Sequence, residues 1–104
     1  MIELNKINEI IEKIKERFNP DKIILFGSYA NGTANEDSDL DLLIVKDTEM
    51  PRHKRNIEIR KSLIGSKMPM DILVYTKEEF EYEKKDMFSF VSKIFPTSKI
   101  VYER

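Results

Sequence analysis

The stretch Lys22–Val45, KIILFGSYANGTANEDSDLDLLIV, constrains this chain more than any other part of it. Four consecutive apolar residues, Ile23, Ile24, Leu25 and Phe26, read as a strand (22–26) buried on both faces. Gly27-Ser28 and a short polar excursion then lead to a second strand-like run, 40–45, with Asp39 and Asp41 at its head. Side chains two apart on a strand share a face, so the two carboxylates stand side by side while Leu40 points away. Two anions so close together are costly unless a cation sits between them. Mg²⁺, commonly held by one or two carboxylates plus substrate phosphates, suits such a pair. Gly27 removes the Cβ where a phosphate must approach the backbone. Ser28 stands where a helix can begin, with N–H groups and a hydroxyl to offer an anion. A phosphate cradle facing a metal-binding carboxylate pair is apparatus for nucleotidyl transfer.

Gly27-Ser28, ten residues, then Asp39-Leu40-Asp41 resembles the GS-x10-D-x-D signature of the minimal nucleotidyltransferases, small members of the DNA polymerase β-like superfamily. Either half alone is common. The two at this spacing, each attached to an apolar run, are far more specific. A turn-rich linker whose aspartates merely cap turns would leave unexplained why both apolar runs end beside polar residues. The resemblance covers nearly the whole chain. It implies an α/β fold, a small mixed sheet flanked by helices on at least one face, with residues 1–104 forming one nucleotidyltransferase domain. It also implies a third carboxylate from a neighbouring strand, and Asp71, which opens its own apolar run, matches that position. The ligand set so implied is Asp39, Asp41 and Asp71 for Mg²⁺, with Gly27 and Ser28 on the nucleotide phosphates.

At 104 residues there is room for one hydrophobic core. With 18 basic and 19 acidic residues the net charge is −1, a balance that gives no electrostatic mandate for nucleic acid. Zero cysteines exclude disulfides and thiol chemistry, and a single histidine, His53, excludes a multi-histidine metal site. Glu3, Lys6 and Glu9 argue against a signal peptide. No apolar run reaches membrane-spanning length, so the expected location is the cytoplasm.

Along the chain, Ile2, Leu4, Ile7, Ile11, Ile14 and Phe18 recur at steps near three and four, predicting an amphipathic helix over 2–18 that Asn19-Pro20-Asp21 stops. Tyr29-Ala30-Asn31 can make one helical turn that Gly32 ends. Many relatives carry arginine at one or both of the positions held by Tyr29 and Asn31, so no phosphate clamp is expected from them, and Tyr29 reads as a support for the loop. Asp37 reads as a solvated turn residue. A helix is predicted over 52–64, with Ile57, Leu63 and Ile64 toward the core and Ile59 less clearly placed. Its start, RHKRNIEIRK, is either a solvated basic face or a contact for phosphates or an acidic partner, and is too short to argue for duplex DNA. His53 is expected to be exposed. A third strand is predicted over 68–75. Thr76 and Glu79 form a capping box for a helix from Lys77 to Lys85, anchored by Phe80 and Tyr82. The aromatic segment 87–95 cannot place Met87, Phe88, Phe90 and Phe95 on one helical face, so part of it is expected at the surface, as a partner contact or merely as the rim of a helix closing the core. A final strand covers 99–103.

The resemblance implies AMP transfer from ATP, or another nucleoside triphosphate, to a hydroxyl. With no room for an acceptor-binding domain, the acceptor must bring its own surface. Relatives of this size accompany a separate helical HEPN protein in toxin–antitoxin pairs, and some transfer AMP to a tyrosine of that partner. Two other readings stay open: an antitoxin acting by binding alone, and a transferase for a small hydroxylated molecule.

Overall fold

Strand alternation along the two central apolar runs divides the interior into two cores, one on each side of a single sheet. The computed structural model describes residues 3–104, so the predicted contribution of Ile2 lies outside the described residues. The elements run α1 (Leu4–Phe18), β1 (Lys22–Phe26), α2 (Ser28–Asn31), β2 (Leu40–Val45), α3 (Ile57–Ser62), β3 (Met70–Tyr75), α4 (Lys77–Lys84), α5 (Phe90–Ile94) and β4 (Lys99–Glu103). The sheet is mixed, in the order β3-β2-β1-β4. β1 is antiparallel to both β2 and β4, while β2 and β3 run parallel.

Ile23 and Leu25 of β1 and Leu40, Leu42 and Ile44 of β2 face α1 and α3, packing on Ile7, Ile10, Ile11, Ile14, Ile59 and Leu63. The intervening residues Ile24, Phe26, Leu43 and Val45 face α4 and α5, packing on Phe80 and Val91. Both faces are thus covered, which is why these strands read as continuous apolar runs. Each buried isoleucine of α1 contributes on the order of 1.5–3 kcal/mol. Ile7, Ile11 and Ile14 are buried as expected and Phe18 packs against the same core, with two departures. Ile10 is buried and Leu4 is 72% exposed.

The expected single helix over 52–64 is broken. A 3-10 turn at Arg52–Lys54 precedes α3, and a second one at Ile64–Ser66 follows it. The break changes the phase. Leu63 is buried as expected and Ile59, left open by the sequence, is buried four residues before it, while Ile57 and Ile64 are exposed against expectation. The cause is β3, an edge strand that must satisfy its outward carbonyls. Arg60 Nη1 donates to Met70 O at 3.3 Å, Asn56 Nδ2 to Ile72 O at 2.9 Å, and Arg55 Nη1 to Val74 O at 3.3 Å. The segment therefore follows the strand edge instead of an uninterrupted helix. β3 itself starts at Met70, two residues later than expected.

The capping box of α4 forms as expected, Thr76 Oγ1 accepting from Glu79 N–H and Glu79 Oε1 from Thr76 N–H. Phe80 anchors the helix and is buried, whereas Tyr82 is 72% exposed and anchors nothing. Glu79 is also gripped by Arg55, Nη1 to Oε1 at 2.6 Å and Nη2 to Oε2 at 3.2 Å. Arg52 reaches Glu83 at 3.1 Å and lies over the Tyr75 ring at 4.6 Å. Two of the basic run's three arginines, Arg52 and Arg55, thereby clamp the β3 edge to α4.

Arg55's hydrogen bonds, aided by the Thr76 N–H, hold the Glu79 carboxyl at a pKa of about 2, against an ordinary 4.5. The folded value is depressed, so this stabilisation is complete above about pH 4.5 and disappears as pH falls toward 2. Glu79→Gln should cost about 1.5–3 kcal/mol at neutral pH, the scale of a hydrogen bond to a charged group. Melting curves from pH 7 down to 2 should show parent and variant converging at the acid end. Parallel curves would mean that the clamp carries no net stability.

The aromatic segment forms only a short helix, α5, capped by Ser89, whose hydroxyl accepts from Ser92 N–H. Pro96 falls inside a 3-10 turn, Phe95–Thr97, that continues it. Phe95 packs edge-on to Phe80, with centroids 5.9 Å apart. Met87 and Phe88 precede the helix and are 75% and 79% exposed.

Candidate active site

The site lies where β1 ends and where β2 and β3 begin. In the antiparallel β1–β2 pair Phe26 stands opposite Asp41, and in the parallel β2–β3 pair Asp41 stands beside Asp71. Leu40, Leu42 and Ile72 belong to the α1 side. Alternation therefore turns Asp41 and Asp71 to the other side of the sheet, with Leu43 and Tyr75 further along it. Asp39, two residues before Asp41, lines with Asp71 a cleft of about 500 Å³ at the start of β3.

Gly27 has φ 74° and ψ −156°, a backbone conformation that only glycine adopts readily. A Cβ built there would overlap Asp41 Oδ2. The residue that opens the cradle thus also makes room for the carboxylate. Its carbonyl accepts from the N–H groups of Ala30 and Asn31, starting α2 immediately after the turn. Ser28 begins that helix, and its Oγ has no protein partner among the described residues. Gly32 in the left-handed region, φ 84°, closes α2 as expected. Tyr29 packs against the α1-side core, in keeping with a supporting role.

The electrostatics centre on Asp41. Burial, then the neighbouring charges of Asp71 and Asp39, push its carboxyl above the usual aspartate range. These groups are held against their mutual repulsion, which a bound cation would relieve. Among the described residues no three acidic or histidine side chains converge into a ready-made cage. Oxygen donors ranged side by side, without a closed cage, fit a hard ion that takes the rest of its shell from water and phosphate.

Asp37 is exposed and belongs to a self-closed turn, its N–H donating to Asn35 Oδ1 at 2.8 Å while Asn35 N–H donates to Ser38 Oγ at 2.9 Å. His53 is exposed on the β3 edge. The sequence reading names Phe90 within the aromatic segment but does not place it beside the carboxylates. Its ring meets Phe26 edge-on, 5.7 Å between centroids, and it is 45% exposed. The pairing of Phe26 with Asp41 places that aromatic contact next to the carboxylates. No local signal marks it, because the two phenylalanines are far apart in sequence.

Comparison with known proteins gives the family of the chain. The family model for a nucleotidyltransferase domain matches residues 7–96. A Methanocaldococcus jannaschii protein, named as a candidate protein adenylyltransferase, is 37% identical over 83% of this chain and 92% of its own length. The protein adenylyltransferase MntA of Thermococcus cleftensis is 37% identical over 61% of this chain and 67% of its own. Among solved structures, a toxin–antitoxin complex with AMP-PNP superposes with a TM-score of 0.63 at 20% identity, covering 97% of this chain and 75% of that one. With Asp41 seated against the Gly27 turn, and a family model covering β1 to β3 and both helical layers, the chain belongs to the nucleotidyltransferase domain family.

Proposed function

We propose that this enzyme transfers AMP from ATP to a tyrosine hydroxyl of a protein partner, the partner being a HEPN toxin that the modification neutralises. The single observation carrying the transferase chemistry is Asp41, seated in the space left by the missing Gly27 Cβ and in register with Asp71. The names of the sequence relatives support adenylyl transfer to protein, and the likeness to a toxin–antitoxin complex supports the partner class. Met87 and Phe88, exposed on the segment leading to Phe90, add an apolar surface of the kind partners cover. No helix among the described residues is long and apolar enough to cross a membrane, and a cytoplasmic ATP pool suits the reaction.

Asp39, Asp41 and Asp71 would hold Mg²⁺, which supplies positive charge to offset that developing on the transferred and departing phosphates. The Gly27 backbone and Ser28 Oγ bind phosphate oxygens and orient the triphosphate. The acceptor oxygen attacks the α-phosphorus, and the bond to the α,β-bridging oxygen breaks. Pyrophosphate leaves with that electron pair. Asp71 orients the attacking hydroxyl and receives its proton, which passes on to water. Little covalent work falls to the protein, so catalysis is chiefly positioning and electrostatics.

Intact-mass spectrometry of a HEPN-type protein co-expressed with this chain tests the reading. The partner should gain one AMP at a tyrosine with the parent, and none with Asp41→Asn. Neutralisation of the partner by both forms with no mass change would reject transfer in favour of binding alone.

A further inference from the structure

The cleft beside Asp39 and Asp71 carries two cations that the triphosphate cradle does not use. Arg60 and Lys67 line it, and neither side chain has an ion-pair partner among the described residues. Arg60 is tied to the strand that bears Asp71 by its hydrogen bond to Met70 O at 3.3 Å. Its guanidinium is thereby fixed at the strand edge with other N–H donors left over. Lys67 sits at φ 54°, a left-handed conformation that a non-glycine residue adopts at a cost and that sets where its side chain starts. Leu63, which is buried, and Ile64, which is exposed, line the same cleft. The cradle of Gly27 and Ser28 lies on the β1 side of Asp41, whereas this cleft lies on the β3 side.

We propose that this cleft is the acceptor subsite and that it selects a hydroxyl carried on an acidic peptide segment. The inference rests on the proposed adenylyl transfer and adds the charge of the acceptor to it. Apolar residues in the lining, Ile64 among them, suit the ring of a tyrosine, and Asp71 in the same lining meets its hydroxyl. Asp39, Asp41 and Asp71 alone would repel a negatively charged segment. Arg60 and Lys67 line the same cleft as Asp39 and Asp71 and offset their charge there, so carboxylates flanking the tyrosine are attracted once the aspartates are neutralised by cation and substrate. A segment flanked by lysines would instead face two like charges at close range.

Calorimetry on the full chain, with Mg²⁺ and a non-hydrolysable ATP analogue present, tests this with Glu-Glu-Phe-Glu-Glu and Lys-Lys-Phe-Lys-Lys as non-reacting acceptors. The acidic peptide should bind at least about tenfold more tightly, the worth of one or two charge contacts. Arg60→Glu combined with Lys67→Glu should invert that order while changing affinity for the ATP analogue less than about twofold. Both positions are exposed, and Arg60→Gln with Lys67→Gln, which should abolish the preference, serves if the reversal variant does not fold. Equal binding of the two peptides overturns the proposal. So does a tenfold loss of ATP-analogue affinity in the reversal variant, which would assign the cations to the triphosphate. Binding that inverts as expected, with no AMP added when tyrosine replaces the central Phe, would sustain the acidic selectivity of the cleft and reject the transfer reading.

Discussion

Asp41→Asn should lower Mg²⁺-dependent AMP transfer by at least about a thousandfold, the scale on which removal of a preorganised charge-stabilising group is felt. Asp41 lies among the groups that define the site. It stands beside Asp71, opposite Phe26, and against the bare face of Gly27. An amide there keeps the shape and loses the charge that would hold a divalent ion. The protein itself should not suffer. The folded-state pKa of Asp41 is raised, first by burial and then by Asp71 and Asp39. A raised carboxyl pKa means the folded state binds the extra proton, so this group weakens stability as pH rises above its unfolded value. In EDTA at pH 7, Asp41→Asn should therefore melt no lower than the parent, and any advantage should shrink as the pH is lowered. Mg²⁺ should raise the parent's melting temperature and leave the variant's unchanged. Full transfer activity in the variant would end the metal-carboxylate assignment. A large fall in melting temperature without Mg²⁺ would instead make Asp41 structural.

What was legible in the chain was whatever its local spacing encodes. The strand ends at Phe26 and Leu40, the one-turn helix closed by Gly32, and the capping box at Thr76 are all written within a few residues. The spacing of Asp39 and Asp41 is equally local, and Asp41 feels the charge of both Asp39 and Asp71. The place of Asp71 depended on the family pattern, and the parallel pairing of β3 with β2 sets it beside Asp41. The segment 52–64 misled because its controlling interactions are non-local. Arg55, Asn56 and Arg60 answer to the carbonyls of an edge strand, and nothing in RHKRNIEIRK says that such an edge exists. Tertiary hydrogen bonds overrode helix propensity there. The contact of Phe90 with Phe26 was hidden for the same reason. The conflict over which aromatics could share a helical face was nonetheless a sound warning. Phe88 stays in solvent and Phe90 half-buries.

Gly27→Ala should be nearly as damaging as Gly27→Val, because the obstruction begins at Cβ. If the glycine served only to let phosphates near the backbone, harm should grow with side-chain size. The geometry adds an earlier limit: any Cβ at Gly27 would overlap Asp41 Oδ2 and would sit on a backbone at φ 74°. Either the carboxylate swings away or the β1–α2 turn shifts, at a strain cost of about 1–3 kcal/mol. Both displace the group that would hold the cation from the one that cradles the phosphates. Mg·ATP affinity in either variant should drop at least about a hundredfold, and transfer should fall with it by about a thousandfold or more. Ser28→Ala sets the scale for comparison. It removes one hydroxyl from a charged ligand, worth about 1–3 kcal/mol, and leaves the turn and Asp41 in place. Calorimetry with Mg·ATP on the three variants gives the order. Alanine and valine at residue 27 should both fall below Ser28→Ala. Gly27→Ala binding Mg·ATP as the parent does would show that Asp41 is not confined by that turn, and that the glycine answers to the phosphates alone.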